Sequence, residues 1–162
     1  MEYQYCKPGP EKHTALMRLY RSLIGSPGCT WDEEYPDEED TLLDLEKGSV
    51  LCVLTPEGEI AGAITLEEMD EEVAASAKDE RYREYLFPAR LGIRKENWGK
   101  GMGSFLFLST LEEAKKRGKK GILFLVAPEN TRAKALYTHL GAYEICSCSY
   151  CDLDWILMAK DV

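Results

Sequence analysis

Three glycines at alternate positions mark the segment ENWGKGMGS, residues 96–104. The residues before it, REYLFPARLGIR, predict a strand, and those after it repeat apolar side chains at helical spacing until Gly118. An unbroken apolar run, GILFLVA at 121–127, then predicts a buried strand. Because two strands joined through one helix must be parallel, this stretch predicts a β-α-β unit with the glycines at its first turn.

Shorter elements on either side of this unit are predicted from periodicity and from proline and glycine turns. They are a strand YQYC, a helix at about 15–24, a short helix from Asp40 to Gly48, a hairpin of SVLCVLT and EIAGAITLE, a helix at 130–140, and the closing strands YEICSCSY and LDWILMAK. Residues 68–83 predict either a long loop or an extra helical turn, and Pro88 predicts an irregularity in its strand. We therefore expect one α/β domain, residues 1–162, with a mixed central sheet of about six to seven strands flanked by about four helices.

The acidic residues outnumber the basic ones, 29 against 20, and the net charge of −9 opposes binding to nucleic acid or to an anionic membrane. The longest apolar run is too short to span a bilayer and the amino terminus lacks the regions of a signal peptide, so we expect a cytoplasmic protein. The six cysteines are then expected to be reduced thiols. The segment CSCSYC, 146–151, offers fewer ligands than a closed zinc site needs, so packing is the preferred interpretation and no metal is predicted.

A glycine turn between a strand and a helix gathers unpaired N–H groups at the positive end of the helix dipole, which favours phosphate binding. Lys100 and the Ser104 hydroxyl are placed to assist. The alternative is that the glycines only permit a sharp turn, but three alternating glycines favour anion binding. The spacing excludes a Walker loop, and it fits the Rossmann fingerprint poorly because it is Gly-x-Gly-x-Gly in a single β-α-β unit.

The segment WGKGMG, 98–103, with the strand end LGI before it, resembles the cofactor motif of the GNAT superfamily of acyl-CoA-dependent N-acyltransferases, which runs Gln/Arg-x-x-Gly-x-Gly/Ala. The stretch APENTRAKALYTHLGAYE, 127–144, is similar to the family's fifth strand, asparagine turn and following helix. In order and length of elements nearly the whole chain matches. The resemblance implies a GNAT-like fold splayed between strands four and five, with acetyl-CoA as cosubstrate and no metal.

The resemblance also implies roles for single residues. The backbone amides of the turn would hold the pyrophosphate of coenzyme A; they belong to Gly99, Lys100, Gly101, Met102, Gly103 and Ser104. The backbone of Leu91 and Ile93 would pair with the pantetheine arm and the acyl carbonyl, and Asn130 would contact the same arm. Trp98 stands where the family usually has Gln or Arg, so we expect binding to survive with a weaker affinity for the pyrophosphate.

Transfer of the acyl group needs a proton donor for the departing thiolate and a base for the incoming ammonium. The resemblance implies Tyr137 as the donor. Some family members use a strand-four glutamate as base, but that position is Phe87 here. The candidates are then Glu84, or Glu67 or Glu68 at the end of strand three, each acting through water.

The implied function is an acetyl-CoA-dependent N-acetyltransferase that acts by direct attack in a ternary complex on an amine of a small molecule or a peptide. The acidic segment WDEEYPDEED, 31–40, favours a cationic acceptor if it borders the site. The alternative function is a non-catalytic coenzyme A binding or regulatory module, and a nucleotide-binding redox domain is disfavoured by the glycine spacing. The final strands would allow a homodimer.

Overall fold

The computed structural model describes residues 3–162, which form two compact units. One contains the described residues up to Leu66 together with Arg90–Phe107, and the other contains Glu67–Ala89 and Leu108–Val162. The strands and α-helices of the described residues follow in this order: β1 Gln4–Cys6, α1 His13–Ser22, α2 Glu38–Glu46, β2 Val50–Leu54, β3 Ile60–Glu67, α3 Glu71–Ser76, β4 Phe87–Ile93, α4 Met102–Lys116, β5 Gly121–Val126, α5 Thr131–His139, β6 Tyr143–Tyr150 and β7 Leu153–Asp161. Short 3-10 turns occupy Pro10–Lys12, Glu80–Glu84 and Lys95–Asn97.

The first unit is built on a four-stranded sheet in the order β1-β2-β3-β4. The predicted hairpin of β2 and β3 is present, with Cys52 opposite Ala63 in an antiparallel register. Its turn closes where Gly58 N donates to Thr55 O over 2.9 Å. Gly58 has a φ of 83°, a conformation that the proline-glycine turn of the sequence supplies without strain.

Helix α1 packs on this sheet because its apolar residues recur at helical spacing. Leu16, Leu19 and Tyr20 are almost completely buried, and they form one cluster with Val50 and Cys52 of β2. Burying an aliphatic side chain of this size contributes about 1.5–3 kcal/mol. The cluster therefore fixes α1 against the hairpin of the first unit.

Strand β4 contains an irregularity, as Pro88 predicted, but it lies at Arg90, whose φ of 55° is in the left-handed region. A non-glycine residue held there costs about 1–3 kcal/mol and needs surroundings that fix it. The Arg90 guanidinium donates to Asp44 Oδ2 over 2.9 Å and to the Tyr35 hydroxyl over 3.2 Å. Helix α2, which carries Asp44, therefore anchors the strand at its strained residue.

The second unit is built on the antiparallel sheet β5-β7-β6. Leu86, just before β4, forms a parallel bridge with Ile122 of β5. Leu86 N donates to Gly121 O over 3.0 Å, and Leu123 N donates to Leu86 O over 2.9 Å. The parallel pairing predicted for the β-α-β unit is confirmed at this bridge.

Strands β4 and β5 belong to different sheets, so the predicted central sheet is two hydrogen-bonded sheets of four and three strands that separate where the splay was predicted. Residues 68–83 contain α3, one helix more than the four that the sequence predicted. Asp70 begins α3 by accepting hydrogen bonds from Glu72 N and Val73 N, and Val73 packs in the core of the second unit. Six residues are too few to show a helical period, which is why the sequence left this segment open between loop and helix.

Among residues 3–162, none of the helices is both long enough and apolar enough to cross a bilayer.

Candidate active site

The glycine turn lies between β4 and α4, as the sequence predicted. Gly99 and Gly101 both have a φ of 78°, which only glycine adopts readily. Phe105 N donates to Gly101 O over 3.0 Å, so the helix begins immediately after the second glycine. In the first turn of α4 the amides of Met102, Gly103 and Ser104 have no helical acceptor, and they are available to a ligand.

The space around the turn is suited to an anion. A Cβ added at Gly99 or at Gly101 would meet no heavy atom within 4 Å, so the two glycines are needed for their backbone angles and face open space. Helix α4 is 15 residues long, and its dipole places partial positive charge at this end. Open access, exposed amides and the dipole fit the diphosphate of a coenzyme A molecule.

Three side chains at or just before the turn donate hydrogen bonds to neighbouring groups of the protein. Lys100 Nζ donates to the Tyr3 hydroxyl over 3.3 Å, and Asn97 Nδ2 donates to the same hydroxyl over 3.1 Å. Trp98 Nε1 donates to Ile93 O over 2.7 Å. The assistance predicted for Lys100 would therefore require its ammonium group to leave Tyr3.

The end of β4 presents backbone groups at a sheet edge. Arg94 N donates to Ala61 O of β3 over 2.9 Å, so residue 94 faces β3. Successive residues of a strand direct their backbone groups to opposite sides, and Leu91 and Ile93 consequently face away from β3. Because β4 is the last strand of its sheet, these groups are oriented to pair with an extended ligand.

Tyr137, the predicted proton donor, lies in α5 of the second unit and is buried. Its ring meets that of Phe124 edge to face, with centroids 4.9 Å apart. Burial raises the pKa of Tyr137 well above its ordinary value, so the phenol keeps its proton throughout the neutral range. A phenol in this state can donate a proton but cannot serve as a base at neutral pH.

Asn130, the predicted pantetheine contact, is the residue immediately before α5. Its Oδ1 accepts a hydrogen bond from Ala133 N over 3.1 Å and caps the helix. The side-chain amide group is thereby held in one orientation. Its Nδ2 group carries two N–H donors, to which a ligand carbonyl is a suitable acceptor.

Of the three candidate bases, Glu84 and Glu68 lie on the surface, and Glu67 at the end of β3 is half-buried. Glu84 pairs with Lys120 over 2.9 Å and Glu68 pairs with Lys119 over 3.6 Å. Their side chains are 60% and 74% exposed, in contrast to the desolvated carboxylates that commonly act as catalytic bases. Phe87, at the position of the family's glutamate, is buried in the core of the second unit.

Arg90 and Asp44 are residues of the first unit that sequence reasoning did not single out. Their ion pair is nearly buried, with 13% and 10% of the two side chains exposed. It holds the strand segment immediately before Leu91. No sequence pattern predicts a positive φ at an arginine, and the two partners are 46 positions apart. Only the nearby Pro88 indicated an irregularity in this strand.

Among residues 3–162, no group of three or more His, Cys, Asp or Glu side chains is arranged to hold a metal ion. Cys146 and Cys148 of β6 are half-buried and pack against the core of the second unit. The packing expected for Cys146 and Cys148 is observed, whereas Cys151 is exposed, and all six cysteines are free thiols.

Comparison with known proteins supplies a family and a fold. The sequence profile of the acetyltransferase (GNAT) family matches residues 16–142. An acetyltransferase of the GNAT family from Streptococcus pneumoniae is 20% identical with a TM-score of 0.75, and the match covers 99% of this chain and 100% of that one. YncA of Salmonella typhimurium, solved with its cofactor acetyl-CoA, is 16% identical with a TM-score of 0.75, covering 99% and 94%.

PaiA N-acetyltransferase of Thermoplasma acidophilum, solved in complex with coenzyme A, is 18% identical with a TM-score of 0.74, and the match covers all of both chains. No curated protein matches the sequence. At these identities the likeness to solved structures establishes the fold.

Proposed function

The chain belongs to the acetyltransferase (GNAT) family, and we propose that it transfers an acetyl group from acetyl-CoA to an amine of a small molecule or a peptide in a ternary complex. The observation that carries the proposal is the glycine turn. Gly99 and Gly101, each with a φ of 78° and open space at its Cβ position, precede the first amides of a long helix, an arrangement that suits a diphosphate.

Backbone groups of the glycine turn and of β4 form the proposed cofactor-binding site. The amides from Gly99 to Ser104 hold the pyrophosphate, and the edge groups of Leu91 and Ile93 pair with the amides of the pantetheine arm. An extended arm added to a sheet edge gains main-chain hydrogen bonds in the way that a bound peptide strand does. Because these contacts are made mostly by the backbone, a tryptophan at position 98 is compatible with binding of the cofactor.

The proposed chemistry is assigned on the family's pattern. Acetyl-CoA supplies the thioester, whose C–S bond breaks as the amine nitrogen bonds to the carbonyl carbon. Tyr137, which its raised pKa keeps protonated at neutral pH, gives its proton to the departing sulfur. Asn130 holds the arm. Before attack the substrate ammonium loses one proton to water, with Glu84 or Glu68 as relays, and the proton that the nitrogen loses as the amide forms returns to Tyr137.

Isothermal titration calorimetry of the full chain with acetyl-CoA tests this proposal. We expect micromolar to millimolar affinity in the wild type, and about a hundredfold loss in Gly101→Asp, since the new carboxylate repels the diphosphate at short range. Gly48→Asp is the matched control. Gly48 also has a positive φ of 70° with open space around it, so that variant bears the same backbone strain away from the turn.

Absence of heat in the wild type at millimolar acetyl-CoA would refute the cofactor assignment, and equal affinities in the two variants would refute the position of the diphosphate.

A non-catalytic coenzyme A binding module is the second candidate, and the buried Phe87 together with the exposed Glu68 and Glu84 favours it. A thiol-release assay with a broad panel of amines separates the two functions. Acceleration by at least one amine over the rate of hydrolysis indicates the enzyme. Binding without any amine-dependent release indicates the module.

A further inference from the structure

Trp98 lies at the start of the glycine turn, and its indole is directed back to β4. The 3-10 turn Lys95–Asn97 reverses the chain after β4, and Trp98 N closes that turn by donating to Lys95 O over 3.1 Å. The reversal brings the indole back to the strand, where Nε1 donates to Ile93 O over 2.7 Å. At this distance the hydrogen bond is a good one.

The carbonyl that accepts the indole hydrogen bond lies on the edge of β4 that is directed away from β3. Arg94 is directed to β3, so the backbone of Ile93 is directed to the opposite side. This is the edge to which the proposed function assigns the pantetheine arm. The Ile93 carbonyl on this edge therefore already accepts one hydrogen bond from the same chain, and a ligand amide must share this acceptor with the indole.

Indole has a single N–H, and no other atom of the side chain can donate. The arginine or glutamine common at this position in the family carries several donors, and arginine also brings a charge to the diphosphate. Trp98 brings no charge and directs its one donor to Ile93 O. Its side chain is 36% exposed, so the indole lies partly at the surface.

We propose that Trp98 sets the affinity for the cofactor by competing with the pantetheine arm for the carbonyl of Ile93. This inference rests on the proposed function. When a ligand amide donates to Ile93 O, the indole N–H is released to water, so the ligand replaces an intramolecular hydrogen bond. Removing the competing donor removes that cost, and the expected gain is about threefold to tenfold in affinity.

Calorimetry with coenzyme A, which binds without turnover, tests the competition. Trp98→Phe keeps an aromatic ring and loses only the donor, and its dissociation constant is expected to fall threefold to tenfold below that of the wild type. Trp155→Phe is the matched control. Trp155 Nε1 also donates to a backbone carbonyl, that of Tyr150, over 2.9 Å, and its loss is expected to leave the affinity unchanged.

Fluorescence gives a second readout that does not depend on activity. The chain has three tryptophans, so the double variant Trp31→Phe, Trp155→Phe leaves Trp98 as the one indole emitter. Release of its N–H to water on saturation with coenzyme A is expected to move the emission maximum to longer wavelength. Circular dichroism of the double variant verifies that it is folded.

Wild-type binding combined with an unchanged or weaker affinity in Trp98→Phe would overturn the inference alone, as would an unchanged emission at saturation. Failure of the wild type to bind coenzyme A would overturn the proposed function and the inference together. The two failures are thus distinguishable in one set of titrations.

Discussion

The Tyr137 hydroxyl is attached to a ring that is fixed by packing. The ring contacts Phe124 of β5, and burial keeps the phenol neutral, so the proton is both positioned and retained. A raised pKa means that deprotonation starts only above the ordinary value of about 10. The acid form is therefore fully present across the neutral range and is lost only in strong alkali.

Tyr137→Phe tests the donor role. Since the ring still packs on Phe124, we expect the affinity for acetyl-CoA to stay the same while kcat falls about a hundredfold or more, the scale of a lost general acid. A thiol-release assay gives kcat, and the wild-type rate is expected not to decline between pH 7 and 9. Tyr85→Phe, which removes a hydroxyl bonded to Asp161, is the control and keeps its kcat.

A kcat within threefold of the wild type in Tyr137→Phe would remove this residue from the chemistry, and the proton for the thiolate would then come from water.

At the scale of elements, β4 is the strand that the proposed site depends on. It contributes the edge groups of Leu91 and Ile93, and it ends at the glycine turn. It also has a residue in a strained conformation, Arg90, directly before that edge. The strain is held by the ion pair with Asp44 of α2, so the geometry of the strand depends on a helix far away in sequence.

Asp44→Asn tests this dependence. The change removes the carboxylate charge that pairs with the nearly buried Arg90, so we expect a loss of about 3 kcal/mol in the free energy of unfolding, measured by urea denaturation. Glu59→Gln is the control, because its ion pair with Arg94 is half exposed and is worth less than about 1 kcal/mol.

We further expect Asp44→Asn to weaken binding of acetyl-CoA under conditions where the variant is folded. An unfolding free energy within 0.5 kcal/mol of the wild type, roughly the size of an ordinary surface substitution, would contradict the anchoring role.

At the scale of the molecule, ligand binding to the folded chain must stabilise it. A cosubstrate at a hundred times its dissociation constant adds about 2.7 kcal/mol, because it binds the folded state and not the unfolded chain. For a protein of this size we expect the melting temperature to rise by about 5 °C or more. Differential scanning fluorimetry measures it, with Gly48→Asp retaining the rise and Gly101→Asp losing it.

A rise of equal size in Gly101→Asp would show that acetyl-CoA is held elsewhere on the protein.

The sequence predicted most elements because their causes are local. Proline and glycine at 56 and 58 determine the hairpin turn, and the apolar period of residues 102–116 determines α4. The parallel pairing of Leu86 with Ile122 followed from connectivity, since a helix separates the strands. Family membership followed from the glycine turn and the segment around Asn130 and Tyr137, whose spacing is readable along the chain.

The site was predictable as far as it is made of backbone. Gly99 and Gly101 have the positive φ that glycine adopts most readily, whereas Gly103 lies inside α4, and the first amides of a helix lack a helical acceptor. The direction of side chains was not predictable in the same way. Lys100 was expected near the anion, yet it donates to Tyr3, a residue 97 positions away.

By itself the sequence determined the order of elements, the family and the position of the glycine turn, because these depend on neighbours along the chain. The tertiary structure decided that Arg90 is strained and held by Asp44, and that the Trp98 indole occupies the carbonyl of Ile93. These contacts form only when the chain folds and its buried polar groups must find partners, and the partner of each group depends on packing that local sequence does not specify.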